Sequence, residues 1–254
     1  IIPNWDIVPT ENITYDESDL KETVEIDKIY MKEAISNAEG IAYKTADIDY
    51  EINDTRNVVT YISSEAKTKL KYGDELISID EVEIESLEQM QEYIATKSVG
   101  DVVKIRYIRN DKEYTDDVTL IDLNGETKAG LSIAIINDYE SAYNIEVKTK
   151  SSESGPSGGL ITALEIYNQI TENDITHGLK IMGTGTIDLD GTVGEIGGVK
   201  YKLIGAVKKG ADVFICPKEN YKEAYSVAKS KNYDIILISA ETFSEALEKL
   251  EKVG

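Results

Sequence analysis

From residue 159 to the C-terminus, runs of helical period alternate with short apolar runs of strand length. "GLITALEIYNQIT", "VKYKLIGAVKKG", "YKEAYSVAKSK" and "ETFSEALEKLEKV" have helical spacing, whereas "ADVFICP" and "YDIILIS" read as strands. A chain that alternates in this way covers its strands with helices, which restricts this half to an α/β or α+β domain of about 120 residues. After the first of those helices, "GLKIMGTGTIDLDGTVGEIGG" carries seven glycines and reads as short strands broken by turns. "LSIAIIND" and "YNIEVKTK", upstream of that helix, also read as strands.

The first half has a different pattern. Residues 1–25 are acidic, contain proline and are weakly periodic, which predicts an extended lead-in. "IDKIYMKEAISNAE" places Ile26, Ile29, Tyr30, Ala34 and Ile35 near helical spacing, with Gly40 as the expected stop. "RNVVTYIS" predicts a strand, and "DELISIDEVEI" alternates as one half-buried strand. "SLEQMQEYIATK" opens on a capping serine, Ser86, and keeps helical spacing through Leu87, Met90 and Ile94. "DVVKIRYIRNDKEYTDDVTLI" reads as two strands around a tight "RNDK" turn. This pattern divides the chain into a lead-in and helix over 1–44, a small mixed β-sheet domain over 45–125, and the α+β domain over 126–254. The turn-rich "DLNGETKAG" is the expected boundary.

Several function classes drop out on composition. With 48 acids against 27 bases, the net charge of −21 repels nucleic-acid backbones and anionic membrane surfaces. Cys216 is the single cysteine, so no internal disulfide and no thiolate metal cluster can form, and it is expected as a small buried apolar residue. His177 is the single histidine and lies in the polar turn "ENDITHGLK", which argues against a serine–histidine–acid triad. No G-x-x-x-x-G-K-[ST] phosphate loop occurs, and no apolar run is long enough to span a bilayer. No metal, cofactor or nucleotide is expected.

One stretch concentrates the chemistry. In "SSESGPSGGLITALEIY" a tight glycine–proline corner places Ser157 at the mouth of a helix. On these residues alone it is either a helix-capping serine or a nucleophile. A nucleophile needs a base, and without a usable histidine a lysine with a burial-lowered pKa is the available type. "GTVGEIGGVKYKLIGAVKKG" offers Lys200 and Lys202 at the opening of a helix with apolar positions Val199, Leu203, Ile204 and Val207.

Two resemblances follow from these motifs. "YISSEAKTKLKYGDELISIDEVEIES", with its Tyr72-Gly73-Asp74 turn and the helix after Ser86, resembles a PDZ domain, although the family's apolar Gly-Leu-Gly carboxylate-binding loop is not visible. Such a fold implies peptide capture by strand addition. Gly155-Pro156-Ser157-Gly158-Gly159 followed by "MGTGTIDLDGTVGEIGGVKYK" resembles the peptidase domain of the Lon family. That resemblance implies a Ser–Lys dyad of Ser157 and Lys202, with Lys200 as the runner-up base. It also implies that Thr184 orients the lysine, and that the backbone around Gly155, Pro156 and Gly158 serves the oxyanion. Three departures stand out: Gly158-Gly159 stands where alanine–glycine is common, Ser154 replaces the family's usual acid, leaving Glu153 next in line, and Thr186 replaces a glutamate.

A PDZ domain in place of an ATPase resembles the membrane-anchored PDZ–Lon peptidases of Gram-positive bacteria. The expectation is an ATP-independent serine endopeptidase that cuts extracytoplasmic peptides or loosely folded proteins. Its PDZ domain would select substrate, and an N-terminal membrane anchor would precede Ile1. Signalling-peptide maturation and surface quality control both fit, and so does assembly as a homo-oligomer. The competing expectation is a catalytically inactive scaffold or peptide-binding module.

Overall fold

The computed structural model describes residues 17–84, 86–150 and 153–253. The described residues open with a long helix, α1 (Glu17–Thr45), followed by a unit built on antiparallel strands. These are β1 (Tyr50–Ile62), β2 (Glu75–Ile79), β3 (Val82–Glu83), β4 (Val102–Arg109), β5 (Lys112–Thr119) and β8 (Leu131–Ser141). The sheet runs β5-β4-β2-β1-β8, with β3 paired to β2. Between β3 and β4, α2 (Leu87–Ala95) is capped by the Ser86 hydroxyl, which accepts the Gln89 N–H. Met90 and Ile94 of α2 pack with Val59, Leu76, Ile79, Val103, Ile105 and Val118 into one core.

Turn chemistry sets the register. Asp80–Glu81, Asn110–Asp111 and Asn124–Gly125 all have positive φ at both positions, the backbone of two-residue hairpin turns. "DELISIDEVEI" is therefore a hairpin of β2 and β3 and not the single strand expected. Without glycine or asparagine, its turn is held by tertiary contacts. The Asp80 carboxylate accepts the Lys104 N–H at 2.7 Å and the Tyr93 hydroxyl at 2.9 Å. The buried carboxylate of Asp74, in the Gly-Asp turn, is likewise matched: it accepts Arg109 through Nε and Nη2, both at 2.6 Å.

The second unit holds a three-stranded parallel sheet of order β11-β10-β9, formed by β9 (Ile181–Gly183), β10 (Val213–Pro217) and β11 (Ile236–Ala240). α3 (Gly159–Ile170) and α6 (Phe243–Glu251) cover one face. α4 (Val199–Lys208) and α5 (Lys218–Ser230) cover the other. Residues of β10 alternate between the two cores: Val213 and Ile215 face α3 and α6, while Phe214 and Cys216 face α4 and α5. Cys216 is fully buried, as expected, and burial pushes its thiol pKa up to about 12.

Several further expectations change. Residues 17–25 belong to α1 and are not extended, whereas the lead-in expected over residues 1–16 lies outside the described residues. Helix α1 also runs through Gly40 instead of stopping there. That glycine is a contact site, because a Cβ at position 40 would approach Tyr139 Cζ to 2.9 Å and overlap its hydroxyl. The strand 131–141, expected in the second domain, pairs with β1 from Ile62–Leu131 to Tyr50–Ser141. The turn-rich segment before it forms a small hairpin of β6 (Ile121–Leu123) and β7 (Glu126–Lys128) and is not a boundary between sheets. Finally, "YNIEVKTK" pairs with no strand among the described residues.

Helix α1 ties the units together. Ala38, Ile41, Ala42 and Tyr43 are buried in the core of the second unit. On the outer edge of β8, Glu33 accepts the Ile135 N–H at 2.8 Å, and the Ser36 hydroxyl accepts the Asn137 N–H at 2.9 Å. These contacts close an edge that would otherwise present unpaired groups.

An alanine in a helix interior ordinarily stabilises by about 1 kcal/mol over glycine. For Gly40→Ala the overlap with Tyr139 reverses the sign, and a net loss of about 1–3 kcal/mol is expected as a lowered urea midpoint. Adding Tyr139→Phe removes the overlapping hydroxyl and should recover some of the loss.

Candidate active site

Ser157 lies in a single 3-10 turn, Pro156–Gly158, that leads directly into α3. Gly155 precedes it at φ 80° and ψ 164°, a conformation open to glycine and costly for any other residue. Pro156 then sets the first helical φ. Gly159 is confined by packing, since a Cβ there would come within 2.8 Å of Ile187 Cγ2. Gly158 is open, so the family's alanine would fit at that position. The glycine pair therefore changes the motif without altering the corner.

The corner is clamped from three elements. The Ser157 carbonyl accepts the Thr184 hydroxyl and the Gly185 N–H, both at 2.9 Å, from the loop that follows β9. The Leu160 N–H returns a bond to the Gly185 carbonyl at 3.1 Å. From α1, the Asp27 carbonyl accepts the Gly155 N–H at 2.9 Å.

The third element, α4, opens after Gly198 in a left-handed conformation and carries Lys202 in its first turn. Lys202 Nζ lies 2.8 Å from Ser157 Oγ, a separation that serves proton transfer in either direction. Burial lowers the Lys202 pKa below the ordinary lysine value by disfavouring the ammonium. The positive end of α4 acts in the same sense. Because Lys202 is still partly open to solvent, a substrate lying over it would deepen the effect.

The structure brings together Ser157, Lys202, Gly155, Gly158 and Thr184, with two corrections to their roles. Thr184 is buried and donates its proton to the Ser157 carbonyl, so it fixes the serine's backbone and makes no hydrogen bond to Lys202. Of the backbone groups assigned to the oxyanion, Gly155 has its amide occupied by Asp27 and Pro156 has no N–H. Gly158 closes the 3-10 turn, and the Ser157 amide, in the first turn where helical partners are missing, is a donor open to a developing negative charge. Two residues apart on a helix, Lys200 and Lys202 face different ways, and Lys200 Nζ lies 5.1 Å from the centre of the Tyr201 ring. Glu153 lines the cleft, but its carboxylate accepts the Lys150 N–H at 3.0 Å within its own turn. His177 sits exposed in a turn at φ 50°. No cluster of potential metal ligands occurs among the described residues.

A cleft of about 340 Å³ opens beside the serine. Its lining includes Met31, Ala34 and Ile35 of α1, together with Val147 and Thr149. Sequence patterns did not place α1 at the site, although the spacing of Ala34 and Ile35 already marked an apolar face there.

Comparison with known families places residues 138–252 in the Lon protease (S16) C-terminal proteolytic domain and residues 44–120 in the PDZ domain family. A Lon protease of Campylobacter jejuni is 28% identical over 207 residues, covering 79% of this chain and 25% of that protein. Lon protease 1 of Bacillus subtilis is 29% identical over 119 residues, covering 46% of this chain and 15% of that protein. The chain thus spans about a quarter or less of the length of these relatives. Among solved structures, the PDZ domain of an SdrC-like protein from Listeria monocytogenes is 27% identical, with a TM-score of 0.30. That match covers 33% of this chain and 92% of the other.

A lysine whose pKa is lower in the folded than in the unfolded chain leaves the unfolded chain holding more protons between the two values. Stability then rises with pH across that window, and below it the destabilisation is complete. Lys202→Met should therefore raise Tm at pH 7, with the difference narrowing as pH climbs toward the ordinary lysine range. A Tm that stays level or falls at pH 7 would show that Lys202 is not held in a disfavoured charge state.

Proposed function

Because the chain carries a PDZ domain followed by a Lon-type proteolytic domain, we propose that it is an ATP-independent serine endopeptidase working through a Ser157–Lys202 dyad. The observation that carries this reading is the 2.8 Å approach of a partly desolvated lysine to the serine hydroxyl. Neutral Lys202 takes the Ser157 proton as Oγ attacks the scissile carbonyl carbon. The Ser157 N–H faces the resulting oxyanion, assisted by the N-terminal end of α3. Collapse of this intermediate breaks the C–N bond, and Lys202 returns the proton to the leaving amine. Water, deprotonated by the same lysine, then hydrolyses the acyl-enzyme and regenerates Ser157.

ATP independence is supported by the PDZ domain, residues 44–120, that stands directly before the proteolytic domain, residues 138–252. The substrates we assign are extracytoplasmic peptides and loosely folded proteins, since a cleft of about 340 Å³ admits an extended segment and not a folded domain. The PDZ domain selects among them, and the protein works at the cell membrane. Recovery of the full-length protein from a cytosolic fraction would overturn that setting.

The dyad is tested with unstructured peptides and three variants. Ser157→Ala and Lys202→Ala should each lower kcat by about three orders of magnitude or more, while Lys200→Ala keeps most of the activity. Cleavage that persists in either of the first two variants rejects the dyad. A parent protein that cleaves nothing favours the scaffold reading, to which the occupied Gly155 amide lends support. The rate should rise with pH as Lys202 loses its proton, so a profile that falls through that range contradicts a lysine base.

A further inference from the structure

Strand β11 is an outer strand of the parallel sheet, and its free edge is only partly closed. The Ile236 N–H bonds the Asp212 carbonyl at 2.9 Å, so residues 236, 238 and 240 turn their backbone groups toward β10. The N–H and C=O groups of Leu237 and Ser239 therefore point outward. Lys249 Nζ donates to the Ser239 carbonyl at 2.8 Å, but the outward groups of Leu237 have no hydrogen-bond partner among the described residues. Helix α1 covers the edge of β8, whereas no described element pairs with this one.

Beside that edge lies a groove of about 340 Å³ that shares no lining residue with the cleft at Ser157. Its helical wall is α5, where Tyr221, Tyr225 and Lys229 follow one another at i, i+4 and i+8. The Tyr221 and Tyr225 rings stack with centroids 6.2 Å apart, and Tyr225 is exposed. The other wall is Tyr233, Ile235 and Leu237, whose side chains lie on the α5 side of the sheet. Lys229 is the one charged residue in the lining, and Lys222 stands two turns before it, with Tyr225 between them. Neither lysine makes an ion pair among the described residues, although the chain carries a net charge of −21.

We propose that the groove between α5 and β11 is a separate peptide-binding site. Its occupant is an extended acidic segment of a partner polypeptide, with an aromatic or aliphatic side chain between its carboxylates. Such a segment pairs its backbone with Leu237 and adds a strand to the open edge. Its apolar side chain lies on the tyrosine rings, which offer broad contact at little cost in lost rotamer freedom. Its carboxylates meet Lys222 and Lys229. Elsewhere the acidic surface repels the same segment, so the unpaired lysines direct it to this groove. The site makes no use of Ser157 and stands apart from the peptidase reading.

The test uses the Ser157→Ala chain and fluorescent blocked decapeptides with a central Phe, flanked on both sides by Glu or, as control, by Lys. Anisotropy should show the Glu-flanked peptide binding about tenfold tighter than the Lys-flanked one. Adding Lys229→Glu should remove that preference, and adding Tyr225→Ala should weaken the Glu-flanked peptide about tenfold. Lys229→Arg and Tyr225→Phe should keep parental binding. Both side chains are exposed, so Tm should hold in all four variants. A Glu-flanked peptide with alternate backbone nitrogens methylated should lose its binding, because it cannot complete a strand pair. Binding that neither Lys229→Glu nor Tyr225→Ala alters places the peptide elsewhere and overturns the proposal. Equal binding of the methylated peptide overturns strand addition. Self-association of the chain that the same two variants abolish gives the groove to a second copy and overturns the proposal as well.

Discussion

The candidate site depends on the two hydrogen bonds that the Ser157 carbonyl accepts from Thr184 and Gly185. They fasten a short helical turn to the loop at the end of a parallel strand, and β10 holds that strand in place through the Thr184 N–H on the Ile215 carbonyl. With the serine's backbone fixed, its hydroxyl can meet a lysine delivered by a different helix. A nucleophile and base on separate elements need such a clamp, because small displacements between them cost large factors in rate.

The lysine gains its chemistry from the same packing. Val199, Leu203 and Ala206 anchor α4 against β10 and α5, which fixes the first turn of α4 beside the serine. There Lys202 is partly desolvated and has no carboxylate partner among the described residues. The replacement of an acid by Ser154 belongs in this context, since an anion close to the lysine would favour its charged form. The stability lost by burying an ammonium and the availability of a neutral amine have one physical origin.

Much of this was legible in one dimension. The alternation of helix and strand after residue 159, the two-residue turn at Asn110–Asp111 and the helix capped by Ser86 are local signals, and they appear where spacing and turn chemistry put them. What failed had a non-local cause in each case. Gly40 reads as a stop, yet α1 continues through it, and its missing Cβ makes room for Tyr139. Asp80–Glu81 lacks the usual turn residues and is held by Tyr93 and Lys104. Strand β8 reads as belonging to the later domain, yet it pairs with β1 because hydrogen-bond partners are chosen in space.

By itself the sequence left Ser157, on its glycine–proline corner, as a helix cap or a nucleophile, and showed that a nucleophile there has no usable histidine or cysteine partner. It offered Lys200 and Lys202 of "GGVKYK" as candidate bases, and the resemblance to the Lon family favoured Lys202. Tertiary structure decided which lysine faces the serine, since the two candidates differ only in direction around a helix. It also decided that Thr184 serves the serine's carbonyl, that the Gly155 amide is occupied, and that α1 belongs to the site. Each of these depends on where distant segments meet, and the solvent exclusion that lowers the lysine pKa exists only once they have met.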